Sequence, residues 1–154
     1  MNYEITLENF RETYNELEPL YRQHYSEMVE RLTADGVGDY SPYNPRLDEY
    51  VRAGDGGWLL TFVLRLNGQA VGYSNVYVTN DMHNHDLIAQ EDTVYVLPEH
   101  RTGWGRKLIQ EVHNELKRRG VKRLNITTAT DLRVSKLLGR MGYKHTAHAM
   151  TITF

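Results

Sequence analysis

The chain has 154 residues, no cysteine, and 18 Lys/Arg against 20 Asp/Glu for a formal net charge of −2. That length suits one domain, residues 1–154, with a core large enough to hold without disulfides or metal, and the absence of cysteine excludes thiolate metal sites and cysteine nucleophiles. No apolar run approaches about 18 residues and no basic-then-apolar leader opens the chain, so the expectation is a soluble cytoplasmic protein with no membrane partner.

In chain order, Tyr3-Glu4-Ile5-Thr6 reads as a short first strand. From Leu7 the apolar positions Leu7, Phe10, Tyr14, Leu17, Tyr21, Tyr25, Met28 and Leu32 recur at spacings of three and four, one face of a helix that Thr6 or Asn9 starts and Gly36 follows. Pro19 predicts a kink, or two helices meeting near Glu18. Residues 35–57 are rich in Gly, Pro, Asp and Tyr, with a short helix at Pro45–Ala53. Trp58–Leu66 and Gln69–Val78 are strands around Asn67-Gly68, a strong hairpin signal. In the turn that follows, Met82–His85, the residues His83 and His85 sit near Asp81 and Asp86. Such a pair in a polar turn is more often solvated than ligating, so no metal site is expected.

A strand from about Leu87 to Leu97 is closed by Pro98, which cannot donate to a ladder. A loop with Gly103 and Gly105 follows, then an amphipathic helix from Arg106 to Arg119 that ends at Gly120. Strand, glycine loop and helix in this order aim backbone N–H groups and the positive end of a helix at one point, a site for a phosphate or pyrophosphate. Arg101, Arg106 and Lys107 add cations there. Val121–Thr128 is the next strand, parallel to the one before the loop because a helix crossover joins them. Asp131 can N-cap a helix at Leu132–Arg140, and a last strand is expected at Ala147–Phe154.

Charge is unevenly divided along this order. Residues 1–100 hold 6 Lys/Arg and 17 Asp/Glu, or −11, while residues 101–154 hold 12 and 3, or +9. A basic last third suits a ligand with several phosphates, although Lys117, Arg118, Arg119, Lys122 and Arg123 read first as a solvated helix face. The balanced total argues against duplex nucleic acid as a general partner, since non-specific affinity needs a broad basic face.

A dinucleotide fingerprint wants a third glycine where Leu108 stands, and a P-loop wants Gly-Lys-Ser/Thr where Gly105-Arg106-Lys107 stand. Neither fits. The stretch Val96-Leu97-Pro98-Glu99-His100-Arg101-Thr102-Gly103-Trp104-Gly105 instead resembles the acetyl-coenzyme A loop of the GNAT superfamily of N-acetyltransferases, Arg/Gln-x-x-Gly-x-Gly/Ala after a strand ending in Val-x-Pro-Glu. Counting back three from Gly103 lands on His100, with Arg101 one place nearer, so either the loop is one residue shorter or His100 takes the arginine's place. The tail from Asp131 to Gly142-Tyr143 is similar in spacing to that family's Asn-x-x-Ala-x-x-x-Tyr-x-x-x-Gly-Phe, with Asp131 for the asparagine and Leu138 for the tyrosine that often protonates the leaving thiolate. The whole chain, including Pro42-Tyr43-Asn44-Pro45-Arg46 and Asn80-Asp81-Met82-His83, also resembles small phage-encoded members.

The resemblance implies an α/β (α+β) fold: a central mixed, largely antiparallel twisted sheet, helices on both faces, and a splayed parallel strand pair. It implies acetyl-coenzyme A as cosubstrate, its pyrophosphate on the amides of roughly Thr102–Arg106 within a site of Arg101, Thr102, Gly103, Trp104, Gly105, Arg106, Lys107 and Asp131. The pantetheine and the oxyanion donor fall to backbone groups of Val94, Tyr95 and Val96. The acceptor is an amine, and Tyr25, Tyr40, Tyr43 and Tyr50 are candidates for its pocket, with plain packing the competing reading. A carboxylate takes the amine's proton. Glu91 and Asp92 start the right strand, and Asp92 is preferred because strict alternation gives it the face of Val94 and Val96, with Glu91 in reserve. The acid stays unassigned among Ser135, Tyr143 and water. A member that binds acyl-coenzyme A without catalysis, or one that acetylates a modified nucleic-acid base, are the other readings; a monomer or a homodimer is expected.

Overall fold

In the computed structural model the described residues are 1–128 and 132–154; Asp131 lies outside them. Contacts divide the chain into two units, Met1–Tyr21 with Pro45–Ile126, and Arg22–Asn44 with Thr127–Phe154.

The first unit holds a five-stranded sheet in the order β1 (Tyr3–Glu8), β2 (Leu59–Leu66), β3 (Gln69–Asn80), β4 (Leu87–Val96), β5 (Arg123–Asn125). Neighbours from β1 to β4 run antiparallel, and β5 is parallel to β4. Asn67 and Gly68 both take positive φ, 50° and 85°. Their twist is the one a two-residue hairpin needs, so the β2–β3 turn is set locally.

The sheet is covered on both faces. On one, Leu60, Phe62, Leu64, Val71, Val76, Ala89 and Val96 pack with Leu108, Val112 and Leu116 of helix α3 (Trp104–Arg118). Truncating a buried leucine such as Leu108 costs about 2–5 kcal/mol, so this face carries much of the stability. On the other face lie the first turns of α1 (Phe10–Ala34) and helix α2 (Leu47–Asp55), with Tyr21 against Tyr73 at 4.3 Å between ring centres and Phe10 stacked on Tyr50 at 5.0 Å. Asn9 starts α1, its side-chain oxygen accepting from the Arg11 amide at 2.9 Å. Where Pro19 predicts an interruption, a single 25-residue helix runs through it.

One expectation at the end of this unit needs correction. The strand expected at Val121–Thr128 pairs only over Arg123–Asn125. The Val121 amide is spent closing α3, on the Leu116 carbonyl at 3.0 Å, with Gly120 at φ 80° beside it.

In the second unit, Gly36 at φ 81° closes α1, and the Val37 amide returns to the Leu32 carbonyl. Helix α4 (Leu132–Arg140) ends in the same way, with Gly142 at φ 98° and the Tyr143 amide on the Leu138 carbonyl. Residues 144–154 contain no strand, although Ala147–Phe154 is patterned as one. Its alternating Met150, Ile152 and Phe154 stay exposed; a strand pattern without a ladder partner leaves its backbone groups to water.

Candidate active site

β4 carries both halves of the site. Beyond its C-terminal end, Pro98–His100 form a single 3₁₀ turn, and Gly103 at φ 90° turns the chain into α3. The Arg101 amide donates to Pro98 and the Lys107 amide to Gly103, but among the described residues the amides between them, Thr102 to Arg106, have no backbone acceptor. Five donors at a helix N-terminus form an anion cradle. A Cβ added at Gly103 or Gly105 meets nothing within 4 Å, so no side chain crowds the two glycines.

The cations around it are individually placed. Arg101 Nε donates to the Val96 carbonyl at 2.6 Å, with its guanidinium over the Tyr95 ring. Lys107 lies 4.1 Å over the Trp104 ring, and Trp104 stacks on Tyr3 at 4.1 Å. His100 is engaged elsewhere than with an anion, its Nδ1 3.1 Å from the Tyr3 hydroxyl. Arg106 is exposed.

The edge of β4 next to the cradle is open. β5 pairs with β4 only from Ile88 to Gln90, and among the described residues no strand lies beside the later residues on that side. The Leu97 amide donates to Val71 on the β3 side, so the alternation of the ladder turns the backbone groups of Val94 and Val96 to the open edge. Those of Tyr95 face β3, and its ring is buried near Tyr73.

Midway along β4 the register shifts. Asn75 faces Thr93 and Val76 faces Glu91, which leaves Asp92 as an extra residue, a β-bulge. The strict alternation that gives Asp92 the face of Val94 and Val96 is therefore broken. Asp92 turns to the α1–α2 side, where Tyr50 donates its hydroxyl to Oδ2 at 3.0 Å. Glu91 takes the position opposite Val76, whose side chain belongs to the α3-side core.

The two carboxyls sit in poor surroundings for charge. Glu91 is only 8 % exposed, its Oε1 has no hydrogen-bond partner among the described residues, and burial, helped by the Asp92 charge, pushes its pKa up to about 8. Asp92 is open as a residue, but the groups packed around its carboxyl strip enough water to raise its pKa, against which the Tyr50 hydrogen bond works. Tyr50 is itself pushed up by burial and the Asp92 charge, and Tyr77 is pushed up to about 12 in the same way.

A family model for the GNAT acetyltransferases matches residues 3–143. The chain belongs to that family. Its fold is shared with a ribosomal-protein-alanine N-acetyltransferase from Brucella melitensis (TM-score 0.73, 18 % identity, covering 100 % of this chain and 99 % of that one) and a GCN5-related N-acetyltransferase from Ralstonia eutropha (0.75, 19 %, 99 % of each). It is shared also with the aminoglycoside acetyltransferase AAC(6')-Iy, solved with a bisubstrate analog, CoA-S-monomethyl-acetylneamine (0.69, 16 %, 100 % and 99 %). No curated protein matches the sequence closely enough to count as a relative. Among the described residues, no helix is long and apolar enough to cross a membrane.

Other residues singled out in this GNAT chain have separate roles. Tyr25 donates to the Ser41 carbonyl and meets the Tyr43 ring at 5.7 Å, with Arg22 over that ring, so the two tyrosines fasten the 35–44 loop to α1; Tyr40 is 38 % exposed. Asp86 is held by Lys122 and Arg123, and Asp81 by Arg123, an ion-pair cluster tying the β3–β4 turn to β5. The Ser135 hydroxyl lies 3.0 Å from that of Thr128. Leu138 is buried and offers no proton.

The sequence reading missed Asn75. It is 1 % exposed, accepts from Thr61 Oγ1 at 2.7 Å, and donates to the Tyr21 hydroxyl at 2.9 Å and Thr93 Oγ1 at 3.4 Å. This buried polar link sits at the register shift and fastens Thr93 next to the bulge. Its one sequence signal is an asparagine inside the strand Gly72-Tyr73-Ser74-Asn75-Val76-Tyr77, where that residue type is depleted.

Proposed function

We propose that the chain transfers an acetyl group from acetyl-coenzyme A to a primary amine by direct attack. The observation that supports this most is the succession along β4: two carboxyls at the bulge, open backbone groups at Val94 and an open N–H at Val96, then the unpaired amides of Thr102–Arg106. When bound, the cosubstrate supplies an acetyl group activated as a thioester and a thiolate that can leave.

The chain's own residues then have distinct tasks. The amides of Thr102–Arg106, with Arg106 and Lys107, hold a diphosphate, while the Val94 and Val96 edge pairs with amide groups and offers an N–H to charge developing on a carbonyl oxygen. A carboxyl at the bulge takes the acceptor's proton. At pH 7 a simple amine is an ammonium and must lose a proton before it can attack. Glu91 is the better matched base, since a carboxyl whose pKa is near 8 is, once ionised as pH rises, a stronger base than an ordinary one. Asp92, turned to the α1–α2 side, adds its charge to the burial that raises the Glu91 pKa. The bulge, which separates the two carboxyls' surroundings, is the reason for preferring Glu91 in this step.

Calorimetry with coenzyme A, followed by free-thiol release on adding primary amines, tests the reading. Binding in the micromolar range and amine-dependent thiol release are expected. Gly103→Asp should weaken coenzyme A binding by about a hundredfold or more, because it sets a carboxylate against the diphosphate and strains a backbone at φ 90°, with folding checked by circular dichroism. Absence of any coenzyme A heat in the parent protein would remove the proposal; binding without thiol release from any amine would leave the non-catalytic alternative.

A further inference from the structure

Among the described residues the amides of Thr102–Arg106 bond to no backbone carbonyl, so neither the strand before them nor the helix after them fixes their directions. Gly103, at φ 90°, adds freedom in the middle of the loop. An anion cradle binds well only when its donors already converge before the anion arrives. What makes these donors converge has to be side chains at the two ends of the loop.

Both ends rest on one residue, Tyr3 of β1. Its hydroxyl lies 3.1 Å from Nδ1 of His100, on the 3₁₀ turn before the loop, and its ring meets the imidazole edge-on at 6.1 Å between centres. The same ring stacks on Trp104, the first residue of α3, at 4.1 Å and an angle of 23°. Along the exposed stretch Pro98–Gly103, His100 alone is half-buried, and Trp104 is half-buried just beyond it. Lys107 lies over the Trp104 ring, so the stack also places a cation beside the cradle.

Tyr3 is in turn firmly seated. It pairs with Leu66 across the β1–β2 ladder, and beside it the Asn67 amide donates to the Asn2 carbonyl at 2.8 Å and the Asn2 amide to Asn67 Oδ1 at 3.1 Å. A side chain on a paired strand is placed more precisely than one on a loop. The other tether, Arg101 Nε to the Val96 carbonyl, holds only the start of the loop. Resting on the acetyltransferase reading, we infer that Tyr3 is a positioning residue for the cosubstrate: it clamps His100 and Trp104 across Gly103, and so aims the Thr102–Arg106 amides and Lys107 at the diphosphate. His100 then serves the diphosphate through Tyr3 and not by touching it.

Tyr3→Ala removes both contacts, and Tyr3→Phe removes only the hydrogen bond. Calorimetry with coenzyme A reads the clamp without turnover: Kd should rise about thirtyfold in Tyr3→Ala and about threefold in Tyr3→Phe. In thiol-release assays the KM for acetyl-coenzyme A should rise in the same proportions, while kcat stays within about twofold. Ile5→Ala, which trims the same strand's packing on the core, should lower the melting temperature and leave Kd unchanged. The chain has two tryptophans, so in a Trp58→Phe background Trp104 emission reports the stack, and acrylamide should quench it more readily once Tyr3 is alanine. Should Tyr3→Ala not fold, Tyr3→Val, better suited to a strand, takes its place with the same expectations. Equal coenzyme A affinity in the parent and in Tyr3→Ala overturns the inference, as does an equal rise of Kd in Ile5→Ala. Those results leave the acetyltransferase reading standing, whereas the absence of coenzyme A heat from the parent removes both.

Discussion

Two acidic pairs, Glu8–Glu16 where α1 meets the β1–β2 edge and Glu91–Asp92 at the β4 bulge, have opposite electrostatics. At the β1–β2 edge, Arg65 donates to both oxygens of Glu8 at 2.8 and 2.9 Å and to both of Glu16 at 2.9 and 3.0 Å. Both carboxyls are held below their ordinary range by those bonds, and the Arg65 pKa is raised in return. At the β4 bulge the carboxyls have no cation among the described residues and are pushed up. The first arrangement is finished within the chain and serves stability. The second is relieved at neutral pH by a proton kept on Glu91 rather than by a cation, and carboxyls shifted in this way cluster at sites of chemistry.

The largest test of this contrast is Glu91→Gln, which keeps the shape and removes the base. Turnover should fall by about 10²- to 10⁴-fold, the usual contribution of a positioned base. In the parent, kcat/KM should rise with pH through a limb near 8 that the variant lacks. Stability should move the other way. With a folded pKa of about 8 against an ordinary 4.5, the native state keeps a proton between those values that the unfolded chain has released. The contribution is thus fully present below the ordinary value and is lost as pH rises towards 8 and through it. Glutamine imitates the neutral form at every pH, so the variant should be more stable than the parent by about 2–4 kcal/mol at pH 8.5 and equal to it near pH 4. Thermal melts at the two pH values check this; equal melting at pH 8.5 would show that Glu91 is not strained by its surroundings.

Arg65→Met turns the finished pair into an unfinished one. It leaves Glu8 and Glu16 charged with no cation, and the expected cost at pH 7 is about 2–3 kcal/mol, below the figure for a fully buried pair because Glu16 is about half exposed. Here the sign is reversed: depressed carboxyls contribute stability above their ordinary pKa values and lose it as pH falls through the folded ones. Urea melts should therefore show a large parent–variant gap at pH 7 that narrows by pH 3. A gap independent of pH would mean that Arg65 acts through packing rather than charge.

The cradle could be read from the sequence because it is made of backbone, and its determinants, Pro98, Gly103 and Gly105, are residues whose effects on the backbone are local. The hairpin at Asn67-Gly68 was readable for the same reason. The bulge was not: a period-two pattern runs through Thr93, Asp92 and Glu91 without any mark of the extra residue, and what fixes it, Asn75 with Thr61, Tyr21 and Thr93, comes from three other places in the chain. The shortness of β5 and the unpaired tail escaped for a related reason. Alternation reports which side chains suit a strand, whereas pairing depends on a partner's backbone, and at Val121 that backbone group is taken by the end of a helix.

The smallest effect expected is at Tyr50, the single donor that the bulge provides for its own acids. Tyr50→Phe retains the ring stacked on Phe10 and removes the hydroxyl bound to Asp92 Oδ2. That bond favours the charged carboxylate and partly offsets the effect of burial. Its loss should raise the Asp92 pKa further, by an amount worth about 0.5–1.5 kcal/mol, or roughly one unit at most. Carboxyl carbon NMR of the aspartate-labelled protein reads that midpoint directly and without substrate. If the Asp92 midpoint stays where it was, Tyr50 contributes only its ring, and the acid at the bulge is tuned by burial alone.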